Sequence, residues 1–598
     1  MGNSVDCCYT TRQYNQCYFP CIRTCSYTNR RVWYNYDGLE SVQPLIDVIK
    51  PEGRVIHKFP TTLADITEDH EIAKALASGL DPPGQLAAIC RFASNYGYRI
   101  RAVGTGSSWS RLTSTRDILI DMTNLNRILT RKPANRRENL QKEYVDIEVE
   151  GGMQVYRFVE KLDKAYGLGL PMMGNYAGQT VAGVASTSTH GSGYFSGTMS
   201  TLVVGFHLII SNGIQVKLTR GDETFDRCQE KIKRAQYGGN PVELKSTDVF
   251  CAVAVGLGSL GIIYSITYRC IPVYNIEEER TVVQIPWPGQ KAFHVHHKFE
   301  AILRNRTEGE FFSVFVNPYP EPKRYLYAAY LKGKRTTRSP TCCACCSWWC
   351  CKGGRGCAEV GCMQTDCTAS CLQTCASCCP TRIPDITNFG VSQFSHKHPY
   401  VQKWYNVLQF TKGNMHIRTA EFCLPLAHLD EALGEVIEIA NQYAKRFRQY
   451  SLLPIYVRFV KTDDLYLSPA NSKCAVDGSN NDHACYIEIP FLPGAFGIEE
   501  YHKNIEDKLF TKYKARPHWG KNHHLTTGRI YELYPDLEDW KKVFRLFNAT
   551  GIFCNEFTHN VGFDTCIADL LKLRAGNDTG IVNDGLAEDD VITLQPTS

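Results

Sequence analysis

Two stretches of this chain bring together residues that could hold a large polar ligand. The first, Val103-Gly-Thr-Gly-Ser-Ser-Trp-Ser110, follows a segment that reads as a strand. Small residues there let backbone N–H groups approach a diphosphate. Trp109 stands where a dinucleotide fingerprint has its third glycine, which argues against a nicotinamide-type turn. Taken alone, the loop is equally an ordinary structural turn. The second stretch, Gly167-Leu-Gly-Leu-Pro-Met-Met-Gly-Asn-Tyr-Ala-Gly-Gln-Thr-Val-Ala-Gly-Val-Ala-Ser-Thr-Ser-Thr-His-Gly-Ser-Gly193, is far denser. So many small and hydroxyl residues are not expected to form a packed apolar core, but they can wrap a long polar ligand with backbone and hydroxyl donors.

Further motifs follow in order: Gly256-Leu-Gly-Ser-Leu-Gly-Ile-Ile263, Val457-Arg-Phe459, Asp463-Asp464, Leu467-Ser-Pro469 and Arg516-Pro-His-Trp-Gly-Lys521. With these, the chain resembles the vanillyl-alcohol-oxidase superfamily of FAD-linked enzymes, in its L-gulonolactone, D-arabinono-1,4-lactone and alditol oxidase branch. The resemblance implies an α+β fold: a two-subdomain FAD-binding domain of the PCMH type, and a cap domain whose antiparallel sheet is flanked by helices. It places Gly104, Thr105, Gly106, Ser107, Ser108 and Ser110 at the pyrophosphate. Thr180, Gly183, Ser186, Thr187, His190 and Gly191 fall on the ribityl and adenine side, and Ile263 at the adenine. Many relatives bond the flavin through a histidine at the position of Ser107, so non-covalent FAD is expected. Gly174 falls near the reactive flavin carbon, where relatives that exclude oxygen carry alanine; this favours oxygen as acceptor, unless Gly174 is a plain turn residue.

On the same resemblance, Arg458 faces the flavin from the cap sheet and Lys521 lies beside flavin and substrate. The family's glutamate two residues before the arginine is Tyr456 here. Glu488 stands where relatives have a histidine or asparagine, and Glu421 is a competing carboxylate. The base that removes the substrate hydroxyl proton is then Glu488 or His518. No metal site is expected.

Periodicity supplies the elements that must position these residues. Gln85 to Tyr96 has helical apolar spacing, and strands are expected at Tyr98 to Val103, Asp117 to Asp121, Tyr144 to Val149, Leu202 to Ile210 and Ile262 to Tyr268. Beyond Pro272, strands are expected at Phe311 to Val316, Tyr325 to Leu331, Phe410, Ile417 to Leu424, Ile455 to Val460 and Ala484 to Ile489. Helices are expected at Leu429 to Gln449 and Leu537 to Phe547. The expected division is an extension at 1–45, the FAD-binding domain at 46–273, the cap at 274–570 with an insert at 340–380, and a tail at 571–598.

The chain has 598 residues, 66 Lys and Arg against 61 Asp and Glu, and 43% hydrophobic residues. That balance suggests neither disorder nor a nucleic-acid partner. The sequence contains no signal peptide and no apolar run of the roughly 20 residues needed to span a bilayer, so a cytoplasmic protein is expected. Of 27 cysteines, thirteen lie between Cys342 and Cys379 and five between Cys7 and Cys25. Zinc binding is one reading of the insert, but no histidine accompanies these cysteines. A disordered insert without function is another, and acylation around Trp348 and Trp349, giving membrane association where vertebrate gulonolactone oxidases carry an apolar segment, is the leading one. Met1-Gly2 with Cys7 and Cys8 adds weak support, although Asp6 departs from the myristoylation pattern. Sequons at Asn305, Asn548 and Asn577 read as chance. Overall the sequence points to an FAD-dependent oxidase of a sugar-derived hydroxyl compound; a flavin dehydrogenase and a membrane-tethered, non-catalytic flavin-fold scaffold are the alternatives.

Overall fold

The computed structural model describes residues 80–568 other than 116, 287–308, 321–324, 341–379, 393–394, 396–397, 409–417, 452, 474–481 and 492–496, together with the backbone of strands Trp33–Tyr34, Ser41–Val42 and Asp47–Ile49. All cysteines of the extension and the insert fall outside these residues, as do the tail, Phe410, Ile417, Asn305 and Asn577.

Helix Pro82–Tyr96 opens on Asp81, whose side chain accepts from Gly84 N–H, and closes on Gly97 in the left-handed region at φ 79°. It leads into a small parallel sheet of Asp47–Ile49, Ile118–Asp121 and Ile100–Val103, in that order. Ile118, Leu119 and Ile120 are all buried, as expected of a strand covered on both faces. The loop carrying Gly104 to Ser110 leaves the carboxyl end of this sheet, where ligands of open α/β sheets bind.

A six-stranded sheet follows, with order Val242–Lys245, Gln215–Thr219, Val203–Ile209, Ile262–Pro272 and Val145–Glu150, and Leu168–Gly169 pairing to one side. Only Val273 and Tyr274 separate its last strand from Asn275–Pro286, which belongs to a different sheet.

That second sheet has eight strands: Tyr400–Lys403, Asn275–Pro286, Tyr325–Thr336, Phe311–Val316, Ile455–Lys461, His483–Phe491, Arg418–Pro425 and Arg516–Pro517. Its pairings are all antiparallel. Helices Leu429–Phe447 and Ile498–Tyr513 cover one face, in one core with Ile455, Val457, Phe459, Ile487 and Phe422. Side chains alternate along a strand, so Tyr456, Arg458, Tyr486, Glu488 and Glu421 must point from the opposite face.

Two results depart from expectation. Residues Trp519 to Ile567, assigned to the cap from sequence, pack into the core of the first half: Trp519, Trp540, Phe544, Phe557 and Phe563 share a cluster with Val149, Val216 and Phe250. The Gly167–Gly193 stretch also packs better than its composition suggests. Leu168, Leu170, Met172, Met173, Val181 and Ala185 are fully buried. Val181–Ser186 is a short helix whose spacing turns Val181, Val184 and Ala185 inward. The sequon residue Asn548 is buried, bonding Phe553 N–H and the Cys554 thiol, so it is no glycan acceptor. No helix among the described residues is long and apolar enough to cross a membrane.

Candidate active site on the open face of the eight-stranded sheet

Strand pairing assembles the charged residues. Glu421 lies opposite Glu488, and Glu488 opposite Tyr456; one pair of residues along, Cys423, Tyr486 and Arg458 form the next row. Both rows face the loops of the first half. Arg458 Nη2 donates to Glu421 Oε1 and, at 2.7 Å, to Glu488 Oε2. Lys521 Nζ donates to Glu488 Oε1 and lies 3.9 Å from Glu421 Oε2. Two cations and two carboxylates thus share one patch, brought from three strands and the loop after Arg516–Pro517.

Glu421 is completely buried. Burial would raise its pKa, but Arg458, His190 and Lys521 outweigh burial and hold it well below the usual carboxylate value. Arg458, also buried, is pushed up by Glu421 and Glu488 against the opposing effect of burial, so it stays charged. His518 is held well below its ordinary value by burial. Its Nδ1 accepts from Gly520 N–H at 3.0 Å, so the neutral ring carries its proton on Nε2. That tautomer leaves Nδ1 engaged and presents an N–H at Nε2. His190 lies under the Tyr486 ring at 3.5 Å between centroids. Its Nδ1 is 2.9 Å from the Gly191 carbonyl and its Nε2 is 3.2 Å from Glu421 Oε1. Burial and Arg458 keep its pKa low, so a single proton serves one of these acceptors at a time. The donor atoms of His190, Glu421 and His518 lie within 4.8 Å of one another, but Arg458 already supplies the cation there. Tyr456, raised to about 12 by burial, stays neutral.

The glycine and hydroxyl loops close over this patch. Trp109 N–H donates to the Gly520 carbonyl at 2.9 Å, Ser110 Oγ to the Trp519 carbonyl at 2.5 Å, and Lys521 Nζ lies 4.8 Å from the centroid of the Trp109 ring. Thr105 Oγ1 is 3.1 Å from Ser107 Oγ and donates to the Gly178 carbonyl. A Cβ on Gly104 would lie 2.3 Å from Thr180 Oγ1, and one on Gly183 would lie 3.1 Å from the same atom. Ile263 adjoins through Gly151, whose Cβ would meet the Ile263 carbonyl at 2.6 Å and the Ala182 side chain at 3.2 Å. Thr187 Oγ1 donates to the Gly183 carbonyl. Ser186 is half-buried in the same helix. The loops expected around FAD therefore converge. Their half-buried hydroxyls, at Thr105, Ser107, Ser108 and Ser110, are donors of the kind a long polar cofactor requires.

The motifs at Asp463-Asp464 and Leu467-Ser-Pro469 act one step away. Arg516 donates to the carbonyls of Ser468 and Asn471, and Trp519 Nε1 to the Leu467 carbonyl at 2.6 Å. Ser468 Oγ donates to Asp463, while Arg220 clasps Asp464 at 2.7 and 2.8 Å. This loop therefore holds in place the segment that carries His518 and Lys521. Two partners were not legible beforehand: Tyr486, which stacks on His190, and Ser192, whose Oγ joins the Phe459 N–H to the Phe312 carbonyl.

Farther along the Lys521 segment, His524 is tied to the cap helix. Its N–H and Nδ1 meet Glu506, and its Nε2 lies 3.4 Å from Glu499. The Glu506 hydrogen bond raises its pKa. Neighbouring His502 and His523 are pushed down to about 3 and 4 by burial and stay neutral above those values. A raised folded pKa stabilises fully below the unfolded value of about 6.5 and fades as pH rises through the folded value. The buried histidines with lowered pKa act in the opposite sense, so the test is a difference: the melting-temperature gap between wild type and His524→Gln should shrink from pH 6 towards pH 9. An unchanged gap would sever the link.

Residues 266–561 match the family model for D-arabinono-1,4-lactone oxidase, and residues 81–219 that for an FAD binding domain. An L-gulono-1,4-lactone dehydrogenase of Mycobacterium tuberculosis is 24% identical over 480 residues, 80% of this chain and 93% of that protein. The L-gulonolactone oxidase of Mus musculus is 22% identical over 488 residues, 80% of this chain and 93% of its own. A D-arabinono-1,4-lactone oxidase of Kluyveromyces lactis is 30% identical over 239 residues, covering 39% of this chain and 37% of that one. Among solved structures, a cholesterol oxidase from B. sterolicum superposes with a TM-score of 0.64 at 14% identity, over 90% of this chain and 98% of that one, a likeness of fold.

Proposed function

Because the chain joins an FAD binding domain to a D-arabinono-1,4-lactone oxidase domain, and so belongs with the FAD-dependent oxidoreductases of the vanillyl-alcohol-oxidase superfamily, we propose that it oxidises a carbinol of an aldono-1,4-lactone or a related sugar or alditol. The observation that carries this reading is the convergence of Arg458 and Lys521 on one sheet face beneath the glycine and hydroxyl loops. What FAD supplies there is a two-electron acceptor for the hydride, with oxygen as final acceptor and hydrogen peroxide as product.

The chain's own residues do the rest. Arg458 presents a fixed guanidinium that orients the substrate hydroxyl and stabilises negative charge building on its oxygen. Lys521, held by Glu488 and the Trp109 ring, supplies the second positive charge. His518 offers a neutral N–H donor. With His518 engaged by Gly520, Glu488 is the remaining candidate to accept the proton. Ser107 has no imidazole to bond the flavin, which supports a non-covalent cofactor.

A dehydrogenase with another acceptor is favoured by one detail. A Cβ on Gly174 would lie 3.0 Å from Thr189 Cγ2, so the neighbouring threonine already fills part of the space that glycine opens. Membrane attachment through acylated cysteines near Trp348 and Trp349 is a separate proposal, supported by their clustering; hydroxylamine treatment that released no thioester would end it.

Purified protein is expected to be yellow, to release its flavin on acid precipitation, and to form peroxide with one member of a panel of aldonolactones, alditols and sugars. Bleaching without peroxide would favour the dehydrogenase, and bound flavin with no bleaching the scaffold. A colourless protein that fails to take up added FAD would refute the proposal.

A further inference from the structure

We propose that Glu488 makes the catalytic face select an uncharged lactone over the open-chain aldonate of the same skeleton. This rests on the proposed lactone chemistry. The patch holds two positive groups, Arg458 and Lys521, and two negative ones, Glu421 and Glu488. Among the described residues, the other titratable groups facing it add no charge: burial keeps His190 and His518 neutral on the low side and Tyr456 and Tyr486 neutral on the high side.

The two carboxylates are not equivalent. Glu421 is the inner one, with its side chain 1% exposed between Arg458 and His190. Glu488 is the outer one, 14% exposed, and divides its oxygens between the two cations, Oε2 to Arg458 and Oε1 to Lys521. Glu488 thus covers, from the open side, the guanidinium and ammonium donors that would otherwise make a carboxylate-binding pair. With it, the patch is neutral. Without it, the patch carries one net positive charge and two released donors in a partly dehydrated site.

A lactone and its hydrolysed acid share every carbon and differ by one negative charge, so their relative affinity reads the charge of the patch directly. One unit of charge at about 4 Å, in surroundings of effective dielectric about 20, corresponds to roughly a thousandfold in that ratio, and screening at a partly exposed site still leaves at least about tenfold.

The test uses full-length holoenzyme titrated without oxygen, following the visible flavin band, with an aldono-1,4-lactone and the sodium salt of its aldonate. The wild type should bind the lactone more tightly. Glu488→Gln should narrow the lactone-to-aldonate affinity ratio at least tenfold, whether or not turnover survives, and Lys521→Gln should widen it. A purely structural role for Glu488 would weaken both ligands alike. Ratios unchanged in both flavin-loaded variants would overturn the proposal. Failure of the wild type to bind any lactone would instead overturn the functional reading on which it rests.

Discussion

Replacing Arg458 with methionine is expected to cut turnover steeply and to lower stability in the same variant. The substitution nearly conserves length but leaves Glu421, fully buried, without its main cation, and frees one oxygen of Glu488. Breaking a buried ion pair from one side costs about 3–5 kcal/mol, because the remaining charge has neither water nor partner. Some of that cost is relieved if Glu421 takes up a proton, so the variant should recover stability at lower pH while the wild type does not. Turnover should fall at least about a hundredfold, as expected on losing a donor aimed at developing negative charge. Paired thermal melts at two pH values and steady-state peroxide assays test both parts. A melting temperature within a degree or two of wild type would show that Glu421 is not held as a carboxylate by Arg458.

The second large effect is expected at Gly191. A Cβ there would lie 2.2 Å from the Met173 carbonyl and 3.0 Å from Met172 Sδ. The first of these contacts is backbone in a buried segment and cannot swing aside. Gly191→Ala must therefore displace the loop that presents His190 to Glu421 and passes to Ser192, the residue bonded to Phe459 N–H. The protein should accumulate poorly and purify with little visible flavin. Gly434→Ala is the matched control, since nothing lies within 4 Å of its added methyl. That change sits inside helix Leu429–Phe447 and should stabilise by up to about 1 kcal/mol. Flavin-to-protein absorbance ratios compare the two; full flavin in the Gly191 variant would mean that the loop is not part of the cradle.

Where local rules and tertiary packing agree, the sequence was legible. Helix Pro82–Tyr96 was readable from Gln85 to Tyr96 by its apolar spacing, while its first turn, opened by Asp81 and two prolines, was not. The strand Ile455–Lys461 was expected at Ile455 to Val460, with the face of Arg458 implied by the resemblance, and the alternation of Val457 and Phe459 with Tyr456 and Arg458 agrees with it. Strand Asn275–Pro286 was not legible. Its run of Glu277, Glu278, Glu279 and Arg280 looks like a solvated segment, yet Glu278 and Arg280 are buried and pair with each other. A charge neutralised inside the fold has no signature until its partner is known. The same holds for Glu421, flanked by apolar neighbours in a strand that shows nothing of Arg458, 37 positions away. His518 illustrates the converse: its residue type suggests a base, and only the Gly520 N–H shows which nitrogen is occupied.

The closing of the first core by Trp519, Trp540, Phe544 and Phe557 bears on how the protein is made. Synthesis runs from the amino terminus, so the Gly104–Ser110 and Gly167–Gly193 loops emerge well before the aromatic residues that complete the core. The nascent cofactor-binding region must wait, unfinished, while the whole eight-stranded sheet is synthesised. A stop between Lys521 and Trp540 would leave both glycine loops and Lys521 in place but remove Trp540, Phe544, Phe557 and Phe563 from the core, and the product is expected to retain no flavin.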